Sequence, residues 1–231
     1  MKITRSYLFA GASSKIAIET ATLLKKDGNI ITGITTKNNI EGYDSTYVVD
    51  EYNFGTFPAI NDTLDGLVYF PGTINLKPFH LLTEKDFISD YKINVLGAIA
   101  FIQAYLKNLK TASDPSIIFI GSVAAQQGMP YHSSISMAKA AIEGLTRSLA
   151  AELAPKIRVN CISLSLTSTP LSEKFTNTPE KLDASQKRNP LKKIGSANDV
   201  ANAIEFLLSD RSSWVTAQTF AIDGGMNNIK L

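Results

Sequence analysis

Apolar residues in this chain fall into short unbroken runs, separated by longer stretches with a three- and four-residue apolar period. Tyr7-Leu8-Phe9-Ala10, Ile30 to Ile34, Tyr47-Val48-Val49, Leu67-Val68-Tyr69-Phe70, Ile117 to Ile120, Val159 to Ile162 and Phe220-Ala221-Ile222 are runs of the first kind. Their continuous apolar character, in place of strict alternation, predicts strands of a sheet covered on both faces. Helices are predicted at Ile16 to Lys26, Phe87 to Leu109, Lys139 to Leu153 and Asp199 to Leu208. The third carries Ile142, Leu145, Leu149 and Leu153 as one apolar stripe, and the fourth repeats it with Val200, Ala203, Ile204, Leu207 and Leu208. Strands alternating with helices predict parallel β-α-β units and an α/β doubly wound fold. Between the second and third of these runs, Thr35 to Ser45 is too short for a full helix. Leu171 to Lys193 fits neither period and reads as a mobile lid.

Composition narrows this further. The chain has 231 residues without repeat or linker, which predicts one domain over residues 1–231. Lys and Arg number 23 against 21 Asp and Glu, with no basic stripe, so nucleic acid is not an expected partner. The single cysteine, Cys161, excludes an internal disulfide and any multi-Cys metal site, and no metal is expected. An N-terminal apolar stretch of about five residues is too short for a signal h-region. No run approaches the roughly 18 apolar residues of a membrane span. The expectation is a cytoplasmic protein that meets a small-molecule substrate and no membrane.

The first strand runs into Gly11-Ala12-Ser13-Ser14-Lys15-Ile16-Ala17. Such a small-residue turn lets backbone N–H groups and a helix N-terminus face a pyrophosphate, and an ordinary Ser-capped turn looks the same. Further motifs decide between them: Ile93-Asn94-Val95-Leu96-Gly97, Gly121-Ser122, Met137-Ala138-Lys139-Ala140-Ala141, Arg147 to Leu153, Ile157-Arg158-Val159-Asn160, Thr169-Pro170 and Asp223-Gly224-Gly225. In their order and spacing the sequence resembles the short-chain dehydrogenase/reductase family over essentially the whole chain. The resemblance implies a single Rossmann-type domain with a seven-stranded parallel sheet, assembly as a homodimer or homotetramer, and a nicotinamide dinucleotide.

Residue by residue, the resemblance assigns the pyrophosphate turn to Gly11, Ser13, Ser14, Lys15 and Ile16. Lys15 and Ala17 stand where the family has its second and third glycines. The Lys15 ammonium either blocks the cofactor or pairs with a phosphate as a point charge, and charge logic favours pairing. Thr35-Thr36-Lys37 carries no acid to repel a 2′-phosphate, which favours NADP(H) over NAD(H). Asp50 matches the residue that meets the adenine amine. Gly72 keeps one position of the Asn-Ala-Gly stretch after the fourth strand, where Pro71 removes a backbone donor. Thr169 matches the hydroxyl that meets the nicotinamide amide and diphosphate.

For the chemistry, the resemblance assigns Ser122 to the substrate carbonyl, Lys139 to the nicotinamide ribose and Asn94 to a water relay. The family's Tyr belongs four residues before Lys139, and that position holds Ile135. An aliphatic side chain carries no proton. Tyr131, His132 and water are the remaining proton sources, and Tyr131 is the catalytic candidate. The expected function is an NADP(H)-dependent oxidoreductase acting on a carbonyl or an activated C=C. The alternatives are a cofactor-binding pseudoenzyme or sensor, motivated by Ile135, and a scaffold that binds no nucleotide, motivated by Lys15 and Pro71.

Overall fold

A computed structural model describes residues 4–230. Each short apolar run forms a strand: β1 (Ser6–Ala10), β2 (Ile30–Thr35), β3 (Ser45–Val48), β4 (Gly66–Tyr69), β5 (Ser116–Ile120), β6 (Arg158–Leu164) and β7 (Thr219–Ile222). All pair in parallel in the order β3-β2-β1-β4-β5-β6-β7, so the architecture is an α/β doubly wound sheet of seven strands. Parallel pairing demands crossovers, and these supply the covering layers. Tyr7 and Phe9 face α1 (Lys15–Lys26) and α6 (Ala197–Leu208), where Ala17, Leu24, Val200 and Ile204 are buried. Leu8 and Ala10 face the opposite layer, built from α3 (Gly97–Lys110) and α4 (Ser133–Leu153). Strand order reverses between β1 and β4, which opens a crevice at the carboxyl ends of those strands.

The predicted helix from Phe87 to Leu109 is three pieces: α2 (Glu84–Tyr91), a π-helical turn at Lys92–Leu96, and α3. Helix α2 starts earlier than its apolar stripe because Thr83 and Asp86 form a capping box. The π turn inserts one extra residue and buries Asn94. Helix α4 also starts earlier, at Ser133, with His132 as its N-cap. The segment 171–193 contains a further helix, α5 (Pro179–Arg188). Its surface is polar nearly all round, so no apolar period announced it; Thr178 caps it, Pro179 opens it and Asp183 pairs with Lys187. A two-residue parallel bridge, Thr167–Ser168 with Gly195–Ser196, pins both ends of that segment.

No helix lies between β2 and β3, as the length predicted, and none lies between β3 and β4. Aromatic packing covers the sheet there instead. Tyr52 stacks on Phe57, Phe57 packs on Phe101 and Tyr105, and Tyr52 meets Tyr69 edge-on at 6.1 Å between centroids. Tyr105 donates to the Pro58 carbonyl at 2.7 Å, and Asn108 to those of Ile60 and Asp62 at 2.8 Å, which ties this connection to α3. Among the described residues no helix is long and apolar enough to cross a membrane, and no group of three His, Cys, Asp or Glu could hold a metal ion.

Candidate active site

At the crevice, β1 is followed by Gly11, whose φ of +77° is a left-handed conformation that favours glycine. A Cβ at Gly11 would also lie 2.8 Å from Pro71 Cδ. The Gly11 and Ala12 amides donate to the Ile34 carbonyl at 2.9 and 3.0 Å, which joins the turn to the end of β2. Ser14 is the N-cap of α1, yet its side chain makes no capping bond. Ser13 is half-buried, Lys15 is exposed at the first helical position, and Ile16 is buried in the core.

Thr35 is buried at the end of β2 and its hydroxyl accepts from the Lys37 amide at 3.0 Å; the Lys37 side chain is exposed. Asp50 is exposed two residues beyond β3.

Deeper in the crevice three separate elements converge. A Cβ built on Gly72, just after β4, would lie 3.2 Å from Asn94 Oδ1 and 3.3 Å from Lys139 Nζ. Lys139 comes from α4 and donates to the Ile120 carbonyl at the end of β5, 2.8 Å away. Asn94 comes from the π turn, and its Oδ1 is buried without a partner. Burial pushes the Lys139 ammonium down to about 8 from the ordinary 10.5, and the neighbouring Cys161 and Asp90 oppose that shift. Beneath it, burial pushes the Cys161 thiol up to about 12, so the sulfur is an inert core atom.

The orientation of Asn94 is set by residues that the sequence reading missed. Asn94 Nδ2 donates to the Asp90 carbonyl at 2.8 Å and to Thr73 Oγ1 at 2.9 Å. Thr73 in turn donates to the Asp90 carboxylate at 2.6 Å, and Ser134 in the first turn of α4 donates to its other oxygen at 2.6 Å. Asp90 therefore ties α2 to α4 and holds the Asn94 amide with its oxygen free. The available signal was spacing: Asp90 lies four residues before Asn94, on the same helical face. Replacing Thr73 by Val leaves Asp90 and Asn94 each one bond short, and urea unfolding should show a loss of about 1–3 kcal/mol.

Ser122 is half-buried after β5, and its hydroxyl accepts from the Ala124 amide at 3.2 Å. Thr169 opens the 171–193 segment, where its amide donates to Ser172 Oγ at 3.1 Å. Tyr131 is not on α4: it stands at φ +69°, 59% exposed, and its carbonyl accepts from the Lys77 amide. His132 Nδ1 is bonded to the Pro130 carbonyl. Ile135 is buried in the first turn of α4, one turn before Lys139.

A family model described as Enoyl-(Acyl carrier protein) reductase matches residues 54–227. The chain is 30% identical over 239 residues to a 3-oxoacyl-[acyl-carrier-protein] reductase FabG of Thermotoga maritima, covering 95% of this chain and 96% of that one. It is 34% identical over 164 residues to an L-xylulose reductase of Bos taurus, covering 70% and 67%. A tropinone reductase homolog of Arabidopsis thaliana is 34% identical over 173 residues, 73% of this chain and 56% of that protein. Among solved structures, a short chain dehydrogenase family protein from Francisella tularensis superposes with a TM-score of 0.88 at 24% identity, covering 98% of this chain and 100% of that one. A short-chain dehydrogenase/reductase from Brucella melitensis superposes at 0.85 with 26% identity, covering 97% and 98%. ElxO with NADP bound superposes at 0.85 with 23% identity, covering 97% and 99%.

Proposed function

The chain belongs to the short-chain dehydrogenase/reductase family of oxidoreductases, which bind nicotinamide cofactors, and from that premise we propose that it is an NADP(H)-dependent reductase of a carbonyl or an activated C=C. The observation that carries this reading is the meeting of Lys139 Nζ and the unpartnered Asn94 Oδ1 over Gly72. A cation and a buried acceptor are held there around a space that a single Cβ would crowd, which suits a nicotinamide ribose and its water. The residues present thus fit the nicotinamide half of the cofactor. When bound, a reduced nicotinamide supplies a hydride.

This chain's residues supply the rest. Lys139 donates to the ribose hydroxyls while Thr169 and the turn Gly11 to Ile16 hold the amide and phosphate ends. Ser122 orients the substrate oxygen. Asn94 Oδ1 and the Lys139 ammonium keep a water in place, and that water delivers the proton that Ile135 cannot. An ammonium near 8 replenishes such a water better than one at the usual 10.5. Tyr131, exposed on the loop before α4, serves as the second candidate donor. Exposed Lys37 and Lys15, with no acid at the end of β2, favour a 2′-phosphate and hence NADP(H). Residues 171–193 form the substrate lid, and the protein assembles as a homodimer or homotetramer.

The test is loss of nicotinamide absorbance with aldehydes, ketones, quinones and enoyl thioesters. Turnover with NADPH, faster than with NADH, is expected for at least one class. Ile135 motivates a second reading, a cofactor-binding protein without chemistry. Tight NADPH uptake with no turnover on any class would favour it and contradict the reductase.

A further inference from the structure

The segment 171–193 follows the carboxyl end of β6 and touches the chain again just beyond β4. The contact is one side-chain bond: Lys174, in a 3₁₀ turn at Pro170–Phe175, donates from Nζ to the Ile74 carbonyl at 3.0 Å. In the sheet β5 lies between β4 and β6, and Ser122 follows β5. The segment therefore crosses the carboxyl end of β5, where Ser122 stands, before it reaches its seat. That seat belongs to the site. Ile74 adjoins Thr73, whose hydroxyl holds Asn94, and Thr73 adjoins Gly72, which faces Asn94 and Lys139.

Both ends of this strap are firmly anchored. At its start, buried Ser172 accepts from the Thr169 amide at 3.1 Å and donates to the Thr167 carbonyl. At its far end, buried Asn189 donates to the Asp223 carbonyl at 2.8 Å, and a Cβ on Gly224 would overlap its Oδ1. The span between them is held differently. Leu171 and Leu191 are exposed and give the strap no apolar seat. Helix α5 is tied within the strap, by the Asp183–Lys187 pair and by Ser185, which donates to the Phe175 carbonyl at 3.4 Å. Among the described residues, Lys174 makes the only hydrogen bond or ion pair that joins 173–188 to chain outside the strap. Segments with few buried contacts and exposed bonds open first, so the strap opens at Lys174 and pivots on its ends.

We propose that Lys174 is the latch of this strap: bonded to Ile74 it holds the strap closed over the nicotinamide end of the crevice, and release of that bond opens the crevice. The inference rests on the cofactor reading above for what lies beneath the strap, and it adds the residue that controls access. Closure shields the reacting atoms from water, and a latch of one surface bond still lets product and cofactor leave. Removing the bond should raise the open population about 3–10-fold, the scale of one hydrogen bond.

Hydrogen exchange without ligand, and stopped-flow displacement of bound NADPH, test this in wild type, Lys174→Met and Lys174→Arg. Amides of residues 171–188 should exchange about 3–10-fold faster in Lys174→Met, while those of α1 and α6 keep the wild-type rate. NADPH should leave Lys174→Met faster by a similar factor. Lys174→Arg, which still has a donor for the Ile74 carbonyl, should stay close to wild type in both measurements. Unchanged exchange in Lys174→Met overturns the latch, and so does faster exchange spread evenly over the whole protein. Faster exchange of the strap with unchanged NADPH release overturns its closure over the nicotinamide end and leaves the cofactor reading standing. NADPH that binds none of the three forms contradicts the cofactor reading, and closure over the nicotinamide end falls with it.

Discussion

Replacing Lys139 by Met should weaken NADPH binding by about 10–100-fold and remove a pH-dependent component of stability. Hydrogen bonds from a charged donor contribute about 1.5–3 kcal/mol each, and one such loss sets the scale of the binding effect. The stability effect follows from burial. The ammonium is desolvated against the Ile120 carbonyl, and its folded-state value of about 8 lies below the ordinary 10.5. Between those two values the unfolded chain holds more protons than the folded one, so stability rises with pH across that window. The contribution is complete above 10.5 and is lost as pH falls through about 8. Each pK unit corresponds to about 1.4 kcal/mol, so the wild type should gain about 3 kcal/mol relative to Lys139→Met over the window. Urea unfolding of both proteins at several pH values measures that difference directly. Parallel pH curves would mean that the ammonium is solvated, and the crevice would lose its desolvated cation.

Replacing Ile135 by Tyr should raise kcat/KM by about 10²–10⁴-fold, the usual contribution of a positioned acid. Ile135 lies one helical turn before Lys139, so a phenol placed there shares its face of α4. A free phenol near 10 is a weak partner at neutral pH, and the ammonium four residues on favours its ionised form. Ile135→Phe is the matched control, because it adds the same ring without a proton to give. Turnover should rise for Tyr and not for Phe. Equal behaviour of the two variants, with NADPH still bound, would show that substrate does not sit above this turn.

The sheet was readable because its central strands are buried on both faces, which leaves unbroken apolar runs such as Ile117 to Ile120. Even β3, exposed at the sheet edge, was visible in Tyr47-Val48-Val49. Lys139, Asn94 and Gly72 were legible through motif spacing, and the fold brings them together. Helix α5 escaped because a cap and an ion pair, not an apolar stripe, hold it. The π turn escaped because one inserted residue barely disturbs the hydrophobic period around Asn94. Asp90 escaped for a different reason. Its role depends on a partner far away in sequence, Ser134, which only the packed fold makes a neighbour.

A structure of the protein with NADPH bound tests the central claim most directly. The nicotinamide ribose should lie over Gly72, both of its hydroxyls within hydrogen-bonding distance of Lys139 Nζ, with Asn94 Oδ1 bonded to a water beside them. A dinucleotide bound elsewhere, or one whose ribose leaves Lys139 bonded to the Ile120 carbonyl alone, would contradict the account.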